Sequence, residues 1–439
     1  MKVLVSFFNR IMQRYLPDPF LFVIILTFVV FGLGLIFTDN GPYQMVQHWG
    51  NGFWGLLTFS MQMVLVLVTG HVLASSTIFK KGLGALASLA KSPGQAILIV
   101  SFVSMIASLI NWGFGLVIGA LFAKELAKKV KNVDYRLLIA SAYAGFVVWH
   151  GGISGSIPLT IATPGHFSEE MIGVISTDQT IFAGFNIFIV VALLLVLPFV
   201  NRFMMPSKEE TIVVDPALLQ EDIQAASIEK EAMTPAERLE NSRLISLLAG
   251  IFGLVFLFYY FAAKGFNLNL DIVNFLFLFL GILFHGTPKR FLEAVLNAVK
   301  GASGIIIQFP FYAGIMGMMT ASGLAAVMSE AFVSISNDYT FHFFAFLSAG
   351  LVNFFVPSGG GQWAVQAPIM LEAAQSMGAS IPKTAMAVAW GDAWTNLIQP
   401  FWALPALAIA GLKAKDIMGF CVLTLLVSGA IISIGFLFF

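Results

Sequence analysis

The sequence predicts an all-α integral membrane protein made of two inverted-topology repeats, each holding a re-entrant hairpin and a broken transmembrane helix. Three observations carry that expectation. The 439 residues are 58% hydrophobic and 10% charged, with a mean hydropathy of +0.89, whereas soluble domains carry about 25% charge. Apolar runs are interrupted by Asn, Gly or Pro clusters four times, at 108–120, 142–159, 349–365 and 389–405. Lysine and arginine gather at particular ends of the runs. At membrane depth, irregular backbone survives only where protein buries it or where it lines a cavity. Paired broken segments at corresponding places in two halves therefore point to a binding site.

Taken in order, runs such as 19–37, 181–200 and 417–439 have the roughly 20 residues that a spanning helix needs. Alternating strands of barrel type are absent from the pattern. The N-terminal segment lacks a small-residue cleavage site and runs into a full-length span, so it reads as retained. Basic residues mark the cytoplasmic side. Lys2, Arg10 and Arg14 place the N-terminus there, loop 38–53 has none, and Lys80, Lys81 and Lys91 follow the second span. Segment 95–123 lies between Lys91 and the group Lys124, Lys128, Lys129 and Lys131. Both its ends are then cytoplasmic, which predicts a re-entrant hairpin turning at Asn111–Gly115.

The broken span 137–163 crosses outward and 181–200 returns to Arg202 and Lys208. Span 244–263 goes out, 270–286 comes in and 303–335 goes out. A second hairpin, 341–378, opens outside and turns at Pro357–Gly361. The broken span 384–411 then comes in to Lys413 and Lys415, and 417–438 leaves, so the C-terminus is outside. In this layout only Lys264 and Lys383, of 23 basic residues, fall outside.

Sliding the halves past one another pairs Asn111 with Asn353, Ala142 with Ala389 and Gln62 with Gln308. Span 244–263 has no counterpart, and this extra crossing inverts the second half, as in inverted-repeat transporters. The predicted units are therefore 1–202, a polar cytoplasmic linker at 203–243, and 244–439. The linker holds nine acidic and four basic residues, with Asp215-Pro216 and Thr234-Pro235. Thr234-Pro235-Ala236-Glu237 reads as a helix start with proline in its first turn.

The chemistry sits at the breaks. Pro357-Ser358-Gly359-Gly360-Gly361-Gln362 follows Asn353. Proline ends one helix, the glycines allow close backbone approach, and the next half-helix, expected to start near Gly361, offers free N–H groups to a carboxylate. Asn111, Gly113 and Gly115 repeat this more weakly, with close helix packing as the alternative. Ser154 and Ser156 lie between glycines before Pro158, and Asp392, Thr395, Asn396 and Gln399 precede Pro400. Asp392 and Asn396 share a helix face. A carboxylate at the bilayer centre costs about 2.5–3.5 kcal/mol on insertion scales, and such acids act by default as proton carriers or cation ligands. Asp392 is the predicted coupling residue. The coupling ion is a proton or a sodium ion, the latter placed near Asn111, Asn353 and Asp392.

With no lysine or arginine in that core, the site favours monocarboxylates over dianions. His71 and His150 are ordinarily hydrogen-bonded core residues, with proton relay as the alternative. Cys421 permits no internal disulfide. Neither an organic cofactor nor a nucleic-acid partner is expected.

The stretches LPDPFLF, HWGNGFWGLLTFSMQMVLVLVTGHVLASS (48–76), NWGFGLV, VPSGGGQW and QPFWALPALAIAGL together resemble the bacterial short-chain fatty acid transporter family over the whole length. The resemblance implies uptake of acids such as acetoacetate or butyrate across the inner membrane, and kinship with divalent-anion/sodium symporters of the wider ion-transporter superfamily. It also implies opposed hairpins, an elevator-like motion and a homodimer. In those relatives Ser-Asn-Thr triplets at the hairpin tips hold substrate and sodium. Here Asn111, Asn353 and Ser358 match by position, but the triplet itself is absent. The alternatives are a C4-dicarboxylate or other organic-acid carrier and a channel. A remoter one is an intramembrane serine protease, suggested by Gly152-Ile153-Ser154-Gly155 with His71 or His285 as base.

Overall fold

The computed structural model describes residues 19–214, 219, 233–353, 356–399 and 402–439. Lys2, Arg10 and Arg14, the Asp215-Pro216 turn and the Pro400 helix stop lie outside the described residues. Every regular element among the described residues is helical.

The first half comprises α1 (Pro19–Phe37), α2 (Pro42–Gly52), α3 (Leu57–Ala74), α4 (Thr77–Ala87), α5 (Pro93–Ile110) and α6 (Trp112–Lys129). It continues with α7 (Tyr135–Ala144), a 3-10 turn at Gly145–Gly151, α8 (Ser156–Ile161), α9 (Glu169–Ile172) and α10 (Gly184–Phe203). Next come α11 (Pro235–Glu240), α12 (Arg243–Lys264), α13 (Leu270–His285) and α14 (Pro288–Val299), which runs through a 3-10 turn into α15 (Ser303–Ala321). The chain closes with α16 (Leu324–Ser334), α17 (Phe341–Val352), α18 (Gly359–Met377), α19 (Ile381–Thr395), α20 (Ala403–Ala410) and α21 (Ala414–Phe438).

Among the described residues, eight candidate spans are long and apolar enough to cross a membrane. They differ sharply in burial. The α7–α8 segment is 94% buried, whereas the windows on α1 and α12 are 17% and 22% buried. The interrupted α7–α8 segment thus forms the core, while α1 and α12 lie at the periphery of the bundle. This is the distribution expected where orphan backbone groups must be kept from lipid.

The helix interruptions fall at the Asn, Gly and Pro clusters. Asn111 is extended (φ −156°, ψ 128°), ends α5 and caps α6, its Oδ1 accepting the Phe114 N–H at 2.9 Å. The two arms run antiparallel with small residues in register. A Cβ on Gly115 would strike Ser108, and one on Gly119 would lie 2.9 Å from Ser104 Oγ. Such small-residue seams let membrane helices approach closely. Asn111 Nδ2 also donates to the Val66 carbonyl of α3 at 3.3 Å. Asn111→Ala removes the cap and this bond, so the expected loss is about 0.5–2 kcal/mol for the cap alone, read as a lowered unfolding midpoint in detergent.

The second tip starts its helix earlier than the sequence predicts, at Gly359 rather than near Gly361. The reason is Ser358, which is extended and caps α18 by accepting the Gly361 N–H at 3.4 Å. Gln362 ties the two arms together, its Nε2 donating to the Ala349 carbonyl and to Gln366 Oε1, each at 2.8 Å.

In the linker, α11 opens with the reciprocal Thr234–Glu237 capping box. The Thr234 N–H holds the Glu237 carboxyl below its ordinary range. Four short helices, α2, α4, α9 and α14, have no counterpart in the sequence expectation. The patterns of α2 and α4, PYQMVQHWGNG and TIFKKGLGALA, are interrupted by polar residues and are too short to span a membrane.

Candidate functional site

The two hairpin tips and the two broken segments converge on one buried region. The first broken segment is pressed onto α5: Ile153 N–H donates to the Leu109 carbonyl at 2.8 Å, and a Cβ on Gly152 would overlap the Leu109 backbone. Ser154 Oγ accepts the Trp112 N–H at 2.9 Å, which joins this segment to the first tip. Asn186 of α10 bridges the two broken segments. Its Nδ2 donates to the Gly151 carbonyl at 3.1 Å, and its Oδ1 accepts the Trp390 indole N–H at 2.9 Å.

The second broken helix is organised around the C-terminal turn of α19. Asn353 Nδ2 donates to the Asp392 carbonyl at 3.0 Å and to Thr395 Oγ1 at 2.9 Å. Thr395 Oγ1 donates to the Gly350 carbonyl at 3.0 Å, and Asn396 Nδ2 to the Asp392 carbonyl at 2.7 Å. Tyr143 Oη of α7 donates to the Asn396 carbonyl at 2.5 Å and so satisfies a main-chain oxygen left open where α19 ends.

Asp392 is fully buried, and so is the group facing it: His150 Nε2 lies 3.2 Å from Asp392 Oδ2. The approach is within ion-pair distance but off the hydrogen-bond axis, and all four side-chain polar atoms lack a hydrogen-bond partner. One partner comes from each half of the chain. Gly359 closes over them. A Cβ there would overlap His150 Nε2 and lie 2.7 Å from Ser156 Oγ.

Further unpartnered atoms gather nearby, namely Asn353 Oδ1, Gln362 Oε1, Asn396 Oδ1 and Ser156 Oγ, with the indole N–H groups of Trp112 and Trp149. Buried polar atoms are normally paired, so each such cluster calls for an explanation. Trp112 and Trp149 belong to an aromatic group that includes Phe146, stacked on Trp149 at 5.5 Å, and Trp402, edge-on to Trp112 at 5.3 Å.

Of the sequence-predicted residues, Asn353, Asp392, Thr395 and Asn396 form one hydrogen-bonded unit, with Gln362 and Gly359 beside it. The first tip is different. Both ends of the Asn111 amide are engaged in the fold, Gly113 packs on the Leu67 carbonyl and Gly115 on Ser108. Gly360 and Gly361 face the rings of Phe59 and Tyr312, leaving Gly359 as the tip glycine set against polar groups. Tyr143, Asn186 and Trp112 enter the site with no chemical signal in the sequence, whereas His150, expected first as a hydrogen-bonded core residue with proton relay as the alternative, faces Asp392. The Gly-x-Ser-Gly string forms no nucleophile–base pair with His285: Ser154 Oγ is bound to the Trp112 N–H, and His285 sits on the Val72 carbonyl at 2.7 Å.

A multi-pass helical fold whose two tips and two broken helices enclose a buried ionisable pair defines a membrane transporter. The short chain fatty acid transporter family matches residues 1–439, and the chain belongs to that family. It is therefore a transporter and not an enzyme. An Escherichia coli (strain K12) protein named "Putative short-chain fatty acid transporter" is 48% identical over 433 residues, 99% of this chain and 98% of its own. A Haemophilus influenzae protein of the same name is 46% identical over 440 residues, 98% of each chain. Among solved structures, the Alcanivorax borkumensis YdaH transporter is similar in fold at a TM-score of 0.60, with 14% identity over 95% of this chain and 98% of that one. Neisseria gonorrhoeae MtrF reaches a TM-score of 0.50 at 15% identity, over 98% and 97% of the two chains.

Proposed function

We propose that the protein is a secondary active transporter that takes up short-chain monocarboxylates, of the acetoacetate and butyrate kind, across the bacterial inner membrane in step with a cation. The observation that carries this is the collection of unpartnered polar atoms at the tips and broken helices. Indole N–H donors suit a carboxylate, and the Asp392 and amide oxygens suit a cation. Loading both satisfies groups that are otherwise orphaned, which ties one ligand to the other. The aromatic faces of Trp112, Trp149 and Phe146 fit a short apolar tail. The site's ionisable groups are His150 and Asp392 rather than lysine or arginine, which favours a monoanion over a dianion.

In this reading α5–α6 and α17–α18 are the re-entrant hairpins of two inverted repeats. Their second arms rest on corresponding helices of the two halves. Asn111 and Gly113 lie against α3, while Gly360 and Gly361 lie against Phe309 and Tyr312 of α15. Gln62 and Gln308, paired by the sequence offset, sit on those same helices. An elevator-type movement of tips and broken helices along α3 and α15, a homodimer, kinship with the ion-transporter superfamily, a cytoplasmic N-terminus and a periplasmic C-terminus complete the proposal. Asp392, with His150 as its partner, carries the coupling. The coupled ion is a proton, or a sodium ion held near Asn353 and Asp392.

Uptake of labelled butyrate into proteoliposomes, with proton and sodium gradients imposed independently, tests this. Saturable accumulation driven by one of the two gradients, with counterflow and stronger competition from acetoacetate than from succinate, is expected. Stronger competition from succinate would instead identify a dicarboxylate carrier, and conduction without counterflow a channel.

A further inference from the structure

A cavity of about 190 Å³ lies between the first turns of α3, the end of α8, loop 164–167 and the start of α13. At about 30 Å³ per water it holds roughly six waters, or an acid of a few carbons. Phe59 forms part of its wall. The same ring packs on the second hairpin tip, where a Cβ on Gly360 would lie 2.6 Å from Phe59 Cζ. Phe167 and Phe309 both pack on the ring, each with its centroid 5.6 Å away. Helix α8 makes a second link. Thr160 lines the cavity, and Ser156, one turn earlier, faces Gly359 beside His150. One phenyl ring and one helical turn thus separate the cavity from the buried pair.

Most polar groups of the lining, though not Thr58, are already engaged. Thr160 Oγ1 donates to the Ser156 carbonyl, Thr163 Oγ1 donates to the Leu159 carbonyl at 2.6 Å while accepting the Leu270 N–H, and Gln62 Nε2 donates to Asp271 at 2.7 Å. A ligand gains little from donors that are engaged elsewhere, so the lining suits transit better than tight retention.

We propose that this cavity is the access chamber through which a short-chain carboxylic acid reaches the second tip, and that Phe59 is the plug between the two. The identity of the acid rests on the transport reading above; the route does not.

The test uses a Cys421→Ala background in sealed proteoliposomes, with Ser156→Cys as reporter and Thr58→Cys, at the chamber wall, as marker of sidedness. With a membrane-impermeant thiol reagent, Ser156→Cys reacts slowly while Phe59 is present. Phe59→Ala raises that rate by roughly tenfold or more, as removal of a gate does, from the side that labels Thr58→Cys, and Phe59→Leu gives an intermediate rate. An unchanged rate in Phe59→Ala, or acceleration from the opposite side, overturns the plug. Complete labelling of Thr58→Cys lowers uptake of the transported acid to a similar degree, and undiminished uptake overturns the chamber. If the unlabelled protein carries no butyrate, the substrate reading fails while Ser156 labelling still decides the route.

Discussion

In the Asp392→Asn variant, butyrate no longer accumulates against its gradient, while exchange of internal for external butyrate persists. The substitution keeps the shape of the side chain and removes its charge. Asp392 is fully buried with His150 Nε2 3.2 Å from its carboxylate, and among the described residues no second carboxylate is paired with that histidine to take over its role. The fold should tolerate the change. Replacing a buried ion pair by neutral groups is often neutral or favourable, whereas leaving one charge unpaired costs about 3–5 kcal/mol, and a neutral His150 beside the new carboxamide leaves no charge behind. The main-chain carbonyl of residue 392, which accepts from Asn353 and Asn396, is unaltered. Concentrative uptake is therefore lost at unchanged protein level, measured as the steady-state ratio of internal to external label under each gradient. Normal accumulation removes Asp392 from the coupling role. Loss of exchange along with accumulation assigns it to binding the acid instead.

The positions of the helix breaks were legible in the sequence because the signals are local. An asparagine in an apolar run has few ways to satisfy its amide, and capping the next turn is one; Asn111 and Ser358 both do so. The spacing of Asp392 and Asn396 fixed their shared face, and the Asn396 amide indeed folds back on the Asp392 carbonyl. What joins the two halves was not legible. His150 and Asp392 meet because a 3-10 turn aims the histidine across the core at α19, and nothing in the periodicity of either segment encodes that direction. The same holds for Tyr143 reaching the Asn396 carbonyl and for Trp112 meeting Trp402. The run VVWHGGISG does carry one signal. A histidine beside a glycine-rich break inside a segment of spanning length has few bland explanations, because the break itself demands burial in protein.

Gly359→Ala carries the other large effect, and its cause is steric rather than electrostatic. The added methyl overlaps His150 Nε2 and Ser156 Oγ, so either the tip withdraws from the broken segment or the imidazole leaves the Asp392 carboxylate. Neither neighbour is the loose end of a flexible chain. The imidazole is packed against Trp149, with ring centroids 3.6 Å apart, and Ser156 is the first residue of α8. Overpacking of this kind costs about 1–3 kcal/mol, and if that cost falls on the closed, loaded state, uptake drops by about tenfold for each 1.4 kcal/mol. The matched control is Gly82→Ala, where a Cβ meets nothing within 4 Å and uptake stays at the parental level. A loss confined to maximal rate, with affinity retained, means that the tip must close on the pair for the carrier to turn over. A loss of affinity at retained maximal rate places Gly359 against the acid itself. Parental uptake in Gly359→Ala would show that the tip never closes on the histidine during transport, and would detach the second hairpin from the coupling site.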